Sequence, residues 1–209
     1  DNDKAAEAVR TAVDVGYKMV DTAAVYQNED GVGDGLTETP DIFLQTKIWN
    51  ASQGYDRTLK AAEKCLARLG RDHVDMLLIH WPCPEKGLFV ETWKAVIELR
   101  DQGKAKSIGV SNFTPEHLAT LIGETGVAPA VNQIELHPYF QREEPRVEDA
   151  RHGIVTESWS PLGSGQLIDE PTLVEIGAQY GVTSAQVMVR WHLQLGNVVL
   201  PKSVTPQRI

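Results

Sequence analysis

Apolar positions recur with two different periods along the chain. Short runs such as VDMLLI are apolar at nearly every position, as in buried strands, and the segments between them are apolar at every third or fourth position, as on one face of a helix. The runs predict seven strands: Lys18–Asp21, Ile42–Thr46, Val74–Ile79, Lys106–Val110, Val131–Glu135, Ile154–Trp159 and Val198–Leu200. The intervening segments predict an opening helix that Asp3 caps and Gly16 ends, a short helix near Gly31–Leu36, and helices over Leu59–Gly70, Val90–Gly103, Thr114–Ile122, Glu144–Arg151, Pro171–Tyr180 and Ser184–Leu195.

Apolar strands alternating with amphipathic helices are typical of an α/β fold with a parallel sheet covered by helices. Two architectures fit this order, an open doubly wound sheet and a (β/α)8 TIM barrel. An open sheet that binds a dinucleotide carries a glycine fingerprint directly after its first strand. The candidate here, GVGDG at Gly31–Gly35, lies ten residues past Asp21 and lacks the acidic residue at a later strand end. The sequence therefore favours the barrel.

A complete barrel needs eight strands and about 250 residues. This chain has 209 residues, begins on a predicted helix and ends just after a predicted strand. We therefore expect residues 1–209 to form a single barrel domain that is incomplete at both ends, without the first strand and the C-terminal helix.

Composition narrows the class of protein. The net charge of −9 argues against a nucleic-acid or anionic-membrane surface, and no apolar run is long enough to span a bilayer. The start of the chain does not resemble a signal peptide. The two cysteines, Cys65 and Cys83, form neither a disulfide framework nor a metal-binding spacing. We expect a cytoplasmic monomer that acts on a small molecule, with no nucleic-acid or membrane partner and no metal.

Three successive apolar runs end on residues that can carry a charge or a proton. Asp21, Lys47 and His80 follow one another in this way, and Tyr26 lies in the turn after the first of them. In a barrel these ends converge on the active-site face. A lysine held by an aspartate would stabilise phenolate and lower the pKa of a neighbouring tyrosine, which could then donate a proton to a developing alkoxide. The histidine could orient the same oxygen.

Each residue also has a simpler interpretation. Asp21 and Lys47 could be a structural ion pair, Tyr26 an ordinary loop residue and His80 a satisfied core histidine. Their joint occurrence at matching strand ends favours catalysis.

Seven motifs carry a resemblance to a known family: GYKMVDTAAVYQNE, LQTKIWN, LLIHWP, SIGVSNF, NQIELHP, ESWSPLG and LPKSVTP. In this order, from about Gly16 to Ile209, they resemble the aldo-keto reductase family, and within it the bacterial 2,5-diketo-gluconate reductases, also described as methylglyoxal or broad aldehyde reductases. The resemblance implies a (β/α)8 barrel that reduces aldehydes and ketones with NADPH.

The resemblance also implies residue roles. Tyr26 would be the general acid, Lys47 and Asp21 its tuning pair, and His80 the group that orients the carbonyl. Ser111, Asn112 and Gln133 would hydrogen-bond the carboxamide of the NADPH nicotinamide, and Trp159 would stack on its ring. The loop Ser160–Ser164, with Ser160, Leu162, Gly163 and Ser164, would run over the pyrophosphate. The adenosine 2′-phosphate would bind Lys202, Ser203, Val204, Thr205 and Arg208, where cationic and hydroxyl groups suit a dianion. Trp49, Trp81 and His80 would line the substrate pocket.

The chain departs from the family pattern at its two ends and in the segment between Leu36 and Ile42, which is shorter than usual. The family's C-terminal tail shapes substrate specificity, so the substrate is open. Two rival functions remain at this point: a non-catalytic cofactor sensor on the same barrel, and a lyase or aldolase in which Lys47 forms a Schiff base.

Overall fold

The structure, a computed structural model, describes residues 1–209. Helices and strands alternate along the chain, and the predicted order is confirmed. The helices are α1 Asn2–Asp14, α2 Glu29–Gly35, α3 Tyr55–Leu69, α4 Phe89–Asp101, α5 Pro115–Thr125, α6 Glu143–Arg151, α7 Pro171–Tyr180 and α8 Ser184–Gln194. The strands are β1 Met19–Asp21, β2 Phe43–Ile48, β3 Val74–Ile79, β4 Ala105–Ser111, β5 Val131–Glu135, β6 Val155–Trp159 and β7 Val198–Val199.

The chain divides into two compact units, Asp1–Ala130 with Ser203–Ile209, and Val131–Lys202. In the first unit β1, β2, β3 and β4 pair in chain order, all parallel. In the second unit β5, β6 and β7 do the same. Each parallel connection passes through helices, which is the arrangement that a parallel sheet requires.

Helix α3 illustrates how the sequence builds the first unit. Its buried residues recur at helical spacing, so one face packs inward while the other carries charge; they are Thr58, Ala62, Cys65, Leu66 and Leu69. The helix ends at Gly70, which adopts φ 61°, the left-handed conformation that glycine tolerates best. The largest buried side chain of this unit, Trp93 on α4, donates its indole N–H to the Val127 carbonyl at 3.1 Å.

The glycines of the GVGDG stretch have a packing role. They lie within α2, and a Cβ at Gly31 would collide with the backbone of Asn2 on α1. A Cβ at Gly33 would collide with the backbone of Leu69 on α3. Glycine therefore lets α2 approach its two neighbouring helices closely. This close packing explains why glycines recur in the stretch, and no phosphate-binding role is needed.

Several predicted boundaries are wrong in detail. The opening helix is capped by Asp1, whose side chain accepts from the Lys4 N–H, and not by Asp3. The second strand continues past Thr46 to Ile48. The predicted cap at Thr114, by contrast, is confirmed: its side chain accepts from the His117 N–H at the start of α5.

No helix of the structure has the length and apolar character needed to cross a bilayer.

Candidate active site

Asp21 and Lys47 form a buried ion pair at adjoining strands of the first unit. The Lys47 Nζ donates to both carboxylate oxygens of Asp21, each at 2.6 Å, and to the Thr22 carbonyl at 2.9 Å. The Lys47 side chain is 0% exposed and that of Asp21 is 15% exposed. A buried ammonium needs this degree of compensation, because an unpaired charge there would be very costly.

Tyr26 lies beside this pair. It ends the 3₁₀ turn Ala24–Tyr26, and the following residue, Gln27, takes a left-handed conformation with φ 54° that redirects the chain. The Lys47 Nζ lies 5.5 Å from the centre of the Tyr26 ring. The tyrosine is 49% exposed, so its ring reaches the surface while one side faces the ion pair.

The electrostatics of Tyr26 differ from the prediction. We expected Lys47 to lower the pKa of Tyr26, and this expectation is wrong: partial burial and, second, the Asp21 carboxylate raise that pKa to about 12. Burial is the larger cause, and the Asp21 carboxylate adds to it by disfavouring the negative phenolate. Tyr26 is therefore a protonated phenol at neutral pH, with a proton available to donate.

His80 follows β3 directly, and its backbone N–H donates to the Ile48 carbonyl at 3.1 Å. Its ring meets the Tyr26 ring edge to face, with centroids 5.9 Å apart. Burial, then the charge of Lys47, lower the pKa of His80 to about 4 against an opposing effect of Asp21. The imidazole is thus neutral at neutral pH. Its Nδ1 is buried and makes no hydrogen bond.

The predicted catalytic residues thus come together in the first unit. We call the set Asp21, Tyr26, Lys47 and His80 the strand-end cluster. It combines a protonated phenol, a compensated ammonium and a neutral imidazole within one small region. This combination can deliver a proton to an oxygen and stabilise the phenolate that is left.

Both tryptophans predicted for the substrate pocket are neighbours of His80, Trp49 in space and Trp81 in the chain. The Trp49 ring packs edge to face on the His80 ring, with centroids 5.2 Å apart. Trp81 is 40% exposed, and its carbonyl accepts from the Gln53 Nε2 at 2.7 Å. Trp49 is thus in direct ring contact with the strand-end cluster, while Trp81 offers an exposed aromatic surface next to His80 in sequence.

Ser111 and Asn112 lie at the end of β4 in the same unit. Asn112 adopts a left-handed conformation with φ 64°, and its Nδ2 donates to the His80 carbonyl at 3.0 Å and to the Ser111 Oγ at 3.0 Å. Two of the predicted cofactor contacts are therefore tied directly to the loop that carries His80.

The other predicted nicotinamide contacts belong to the second unit. Gln133 on β5 is buried, and its Nε2 donates to the Glu157 Oε2 on β6 at 2.9 Å, where the two residues are register partners. Trp159 ends β6 and is partly exposed. The residues after it, predicted for the pyrophosphate loop, adopt left-handed backbone conformations at three positions: Ser160, Gly163 and Ser164.

The predicted 2′-phosphate residues lie near the end of the chain. Lys202 is the last residue of the second unit, and Ser203–Ile209 group with the first unit. Lys202, Val204 and Arg208 are exposed. The Ser203 Oγ accepts from the Thr205 N–H at 3.1 Å, which shapes a short turn.

Two features of the first unit were missed from the sequence. Gln45 is fully buried and its Nε2 donates to the Asp21 Oδ1 at 2.7 Å. Glu29 is also fully buried and accepts from the Thr46 Oγ1 at 2.6 Å and from the Arg68 Nε at 2.8 Å. The available signal was the presence of polar residues, Gln45 and Thr46, inside an otherwise apolar strand.

Comparison with known proteins gives concordant results. A model of the family described as "Aldo/keto reductase family" matches residues 1–209. A protein of Mycolicibacterium smegmatis named aldo-keto reductase is 55% identical over 206 residues, covering 97% of this chain and 75% of that protein. The crystal structure of an aldo/keto reductase from Brucella melitensis matches with a TM-score of 0.95 at 51% identity, covering 100% of this chain and 82% of that one.

A mutant of the protein Gox0644, solved in complex with NADPH, matches with a TM-score of 0.97 at 52% identity, covering 100% of this chain and 77% of that one. These likenesses, together with the parallel strands that alternate with helices, confirm the predicted (β/α)8-barrel class of fold.

Proposed function

The chain belongs to the aldo/keto reductase family, and from this membership we propose that it reduces aldehydes or ketones to alcohols with NADPH as the hydride donor. The observation that carries the proposal is the placement of the buried Lys47 ammonium, clamped by Asp21 and 5.5 Å from the Tyr26 ring.

In the proposed reaction Tyr26 is the general acid. Its raised pKa, about 12, keeps the phenol protonated at neutral pH. A developing alkoxide is a much stronger base than phenolate, so the proton still moves toward the substrate oxygen as negative charge grows there. The nearby Lys47 ammonium then stabilises the phenolate that remains, and Asp21 keeps the ammonium in place.

His80 is proposed to orient the carbonyl. Because its pKa is lowered to about 4, the imidazole is neutral, and a neutral imidazole carries one N–H donor and one acceptor nitrogen. Its ring contacts those of Tyr26 and Trp49 edge to face. The ring can thus hold the carbonyl oxygen near Tyr26 without placing a second cation beside Lys47.

The donor set fits NADPH. In the first unit the Ser111 hydroxyl and the Asn112 amide, and in the second unit the Gln133 amide, are each of a type that hydrogen-bonds a carboxamide. Lys202 in the second unit and Arg208 in the first are each an exposed cation of the kind that binds phosphate. When bound, NADPH would supply the hydride that adds to the carbonyl carbon.

The contacts of Lys47 argue against the lyase alternative. Its Nζ is buried and already donates to Asp21 and to the Thr22 carbonyl, whereas a Schiff-base lysine must present a neutral amine to its substrate. The cofactor-sensor alternative predicts NADPH binding without turnover, so a measured turnover would exclude it.

Four further expectations stay predictions: a 2,5-diketo-gluconate or methylglyoxal substrate, a single domain over residues 1–209, a monomeric state and a cytoplasmic location.

The test compares Tyr26→Phe with the wild-type protein in NADPH oxidation, using methylglyoxal and 2,5-diketo-gluconate as substrates and NADH in parallel. Tyr26→Phe should lose most turnover and retain NADPH binding, measured by fluorescence titration. Tyr17→Phe is the matched control, because it removes a phenol hydroxyl from a partly exposed tyrosine outside the strand-end cluster. Normal turnover in Tyr26→Phe would remove Tyr26 from the mechanism.

A further inference from the structure

Gln45 makes a direct contact with the strand-end cluster. It lies on β2 two positions before Lys47, so the two side chains point to the same face of the strand. Its register partner on β1 is Asp21, and its Nε2 donates to the Asp21 Oδ1 at 2.7 Å. A neutral amide and an ammonium thus approach the same carboxylate from two positions of one strand.

The geometry of the carboxylate explains what the amide does. An ionised carboxylate only accepts hydrogen bonds, so Gln45 must present its NH₂ group to Asp21. Lys47 contacts both oxygens at 2.6 Å, an arrangement that is kept only while the plane of the carboxylate faces the ammonium. A second donor at Oδ1, coming from the neighbouring residue of the sheet, resists rotation of that plane.

The backbone supports the same arrangement. The Thr22 N–H donates to the Gln45 carbonyl at 2.9 Å, and the Thr22 carbonyl accepts from the Lys47 Nζ at 2.9 Å. Gln45 is 0% exposed, so its amide has no water to exchange with and its hydrogen bond is costly to lose. The ion pair, the amide and the Thr22 backbone therefore form one connected polar network.

We propose that Gln45 is a positioning residue for carbonyl reduction: it holds the Asp21 carboxylate in the orientation that clamps Lys47, and so keeps the ammonium beside Tyr26 during proton transfer. This inference rests on the function proposed for the strand-end cluster. Gln45 acts through Asp21 and Lys47.

The test pairs Gln45→Met with Thr46→Val. Thr46 is the adjacent residue of β2, is equally buried and also donates to a carboxylate, that of Glu29 at 2.6 Å, but its side chain points to the opposite face of the strand. Both variants keep the approximate volume of the side chain and remove a buried hydrogen bond to a carboxylate. Thr46→Val therefore controls for the cost to stability.

Gln45→Met should lower kcat about 10-fold, equivalent to about 1.4 kcal/mol in the activation barrier, while the Kd for NADPH is unchanged. Thr46→Val should lower Tm with kcat retained. An unchanged kcat in Gln45→Met would overturn the proposal. An equal loss of kcat in both variants at equal loss of Tm would also overturn it, because it would indicate a merely structural role.

A crystal structure of Gln45→Met provides a readout that does not depend on turnover. The proposal predicts that at least one of the two Lys47–Asp21 contacts is lost, and an unchanged clamp would contradict it. Absence of turnover in the wild-type protein would contradict the proposed function instead, so the two failures are distinguishable.

Discussion

The buried carboxyl of Asp149 gives a quantitative prediction for the second unit. This residue of α6 is 0% exposed; its Oδ1 accepts from the Asn132 Nδ2 at 3.0 Å and its Oδ2 accepts from the Thr156 Oγ1 at 2.9 Å. Burial raises the pKa of Asp149 from 3.8 to about 6, although both hydrogen bonds act to lower it. Asn132 and Thr156 therefore surround a carboxyl group that is harder to ionise in the folded protein than in the unfolded chain.

The sign of the effect follows from linkage. The folded protein keeps the Asp149 proton up to about pH 6, whereas the unfolded chain releases it near 3.8. Stability from this group is therefore complete below the unfolded pKa and is lost as the pH rises through the folded pKa. The rise from 3.8 to about 6 corresponds to about 3 kcal/mol, since each pKa unit is about 1.36 kcal/mol.

The assay is urea unfolding of the wild-type protein and of Asp149→Asn at a series of pH values from about 3 to about 8. An asparagine side chain has the shape of a protonated aspartic acid but does not ionise. As the pH rises, the difference in free energy of unfolding between the two proteins should shift by about 3 kcal/mol in favour of the Asp149→Asn variant, and it should level off above about pH 6.

Asp75 provides a control of opposite sign. Burial acts to raise its pKa, but the hydrogen bond from Lys106 and that from the Leu44 N–H outweigh burial and lower the pKa below its ordinary value. The loss of unfolding free energy in Asp75→Asn, relative to the wild-type protein, should therefore be largest above the ordinary aspartate pKa. This loss should shrink as the pH falls. A pH-independent difference for Asp149→Asn, or a difference of the same sign as for Asp75→Asn, would refute the reasoning.

Three further predictions concern the first unit and the 2′-phosphate residues. Lys202→Ala or Arg208→Ala should raise the KM for NADPH more than they change kcat, measured by initial rates, because the phosphate is remote from the reacting atoms; equal losses with NADH would contradict the phosphate assignment. Arg68→Ala should cost about 3 kcal/mol in urea unfolding, because Glu29 is left buried without its cationic partner, and a cost near zero would mean that this pair is not a stabilising contact. The pH profile of kcat/KM should contain no ionisation of His80 near 6.5, and a step there that His80→Gln removes would contradict its neutral state.

The strands were predictable where local apolar pattern decides the structure. Val74–Ile79 and Val131–Glu135 match their predicted limits, because most of their side chains are apolar or otherwise buried in the core. β2 was predicted too short because the pattern stops at Thr46. Lys47 continues the strand only because Asp21, 26 residues earlier in the chain, compensates its charge.

The candidate site was predictable in its residues but not in its electrostatics. Ionisable residues at strand ends single out Asp21, Lys47 and His80 as candidates without reference to distances. The pKa of Tyr26 depends first on how deeply its ring is buried and second on the charge of Asp21, and neither follows from spacing along the chain. The amide of Gln45 was missed for the same reason, since its role depends on the register of β1 with β2.

The most direct test of the central claim is transfer of deuterium from NADPH in which both hydrogens at C4 of the nicotinamide are replaced by deuterium. The purified protein is incubated with this cofactor and methylglyoxal, and the alcohol product is analysed by mass spectrometry. The proposed function predicts a product in which the former carbonyl carbon carries one deuterium, with formation strongly reduced in Tyr26→Phe. Product without the label, or no product from a folded protein that binds NADPH, would contradict the claim.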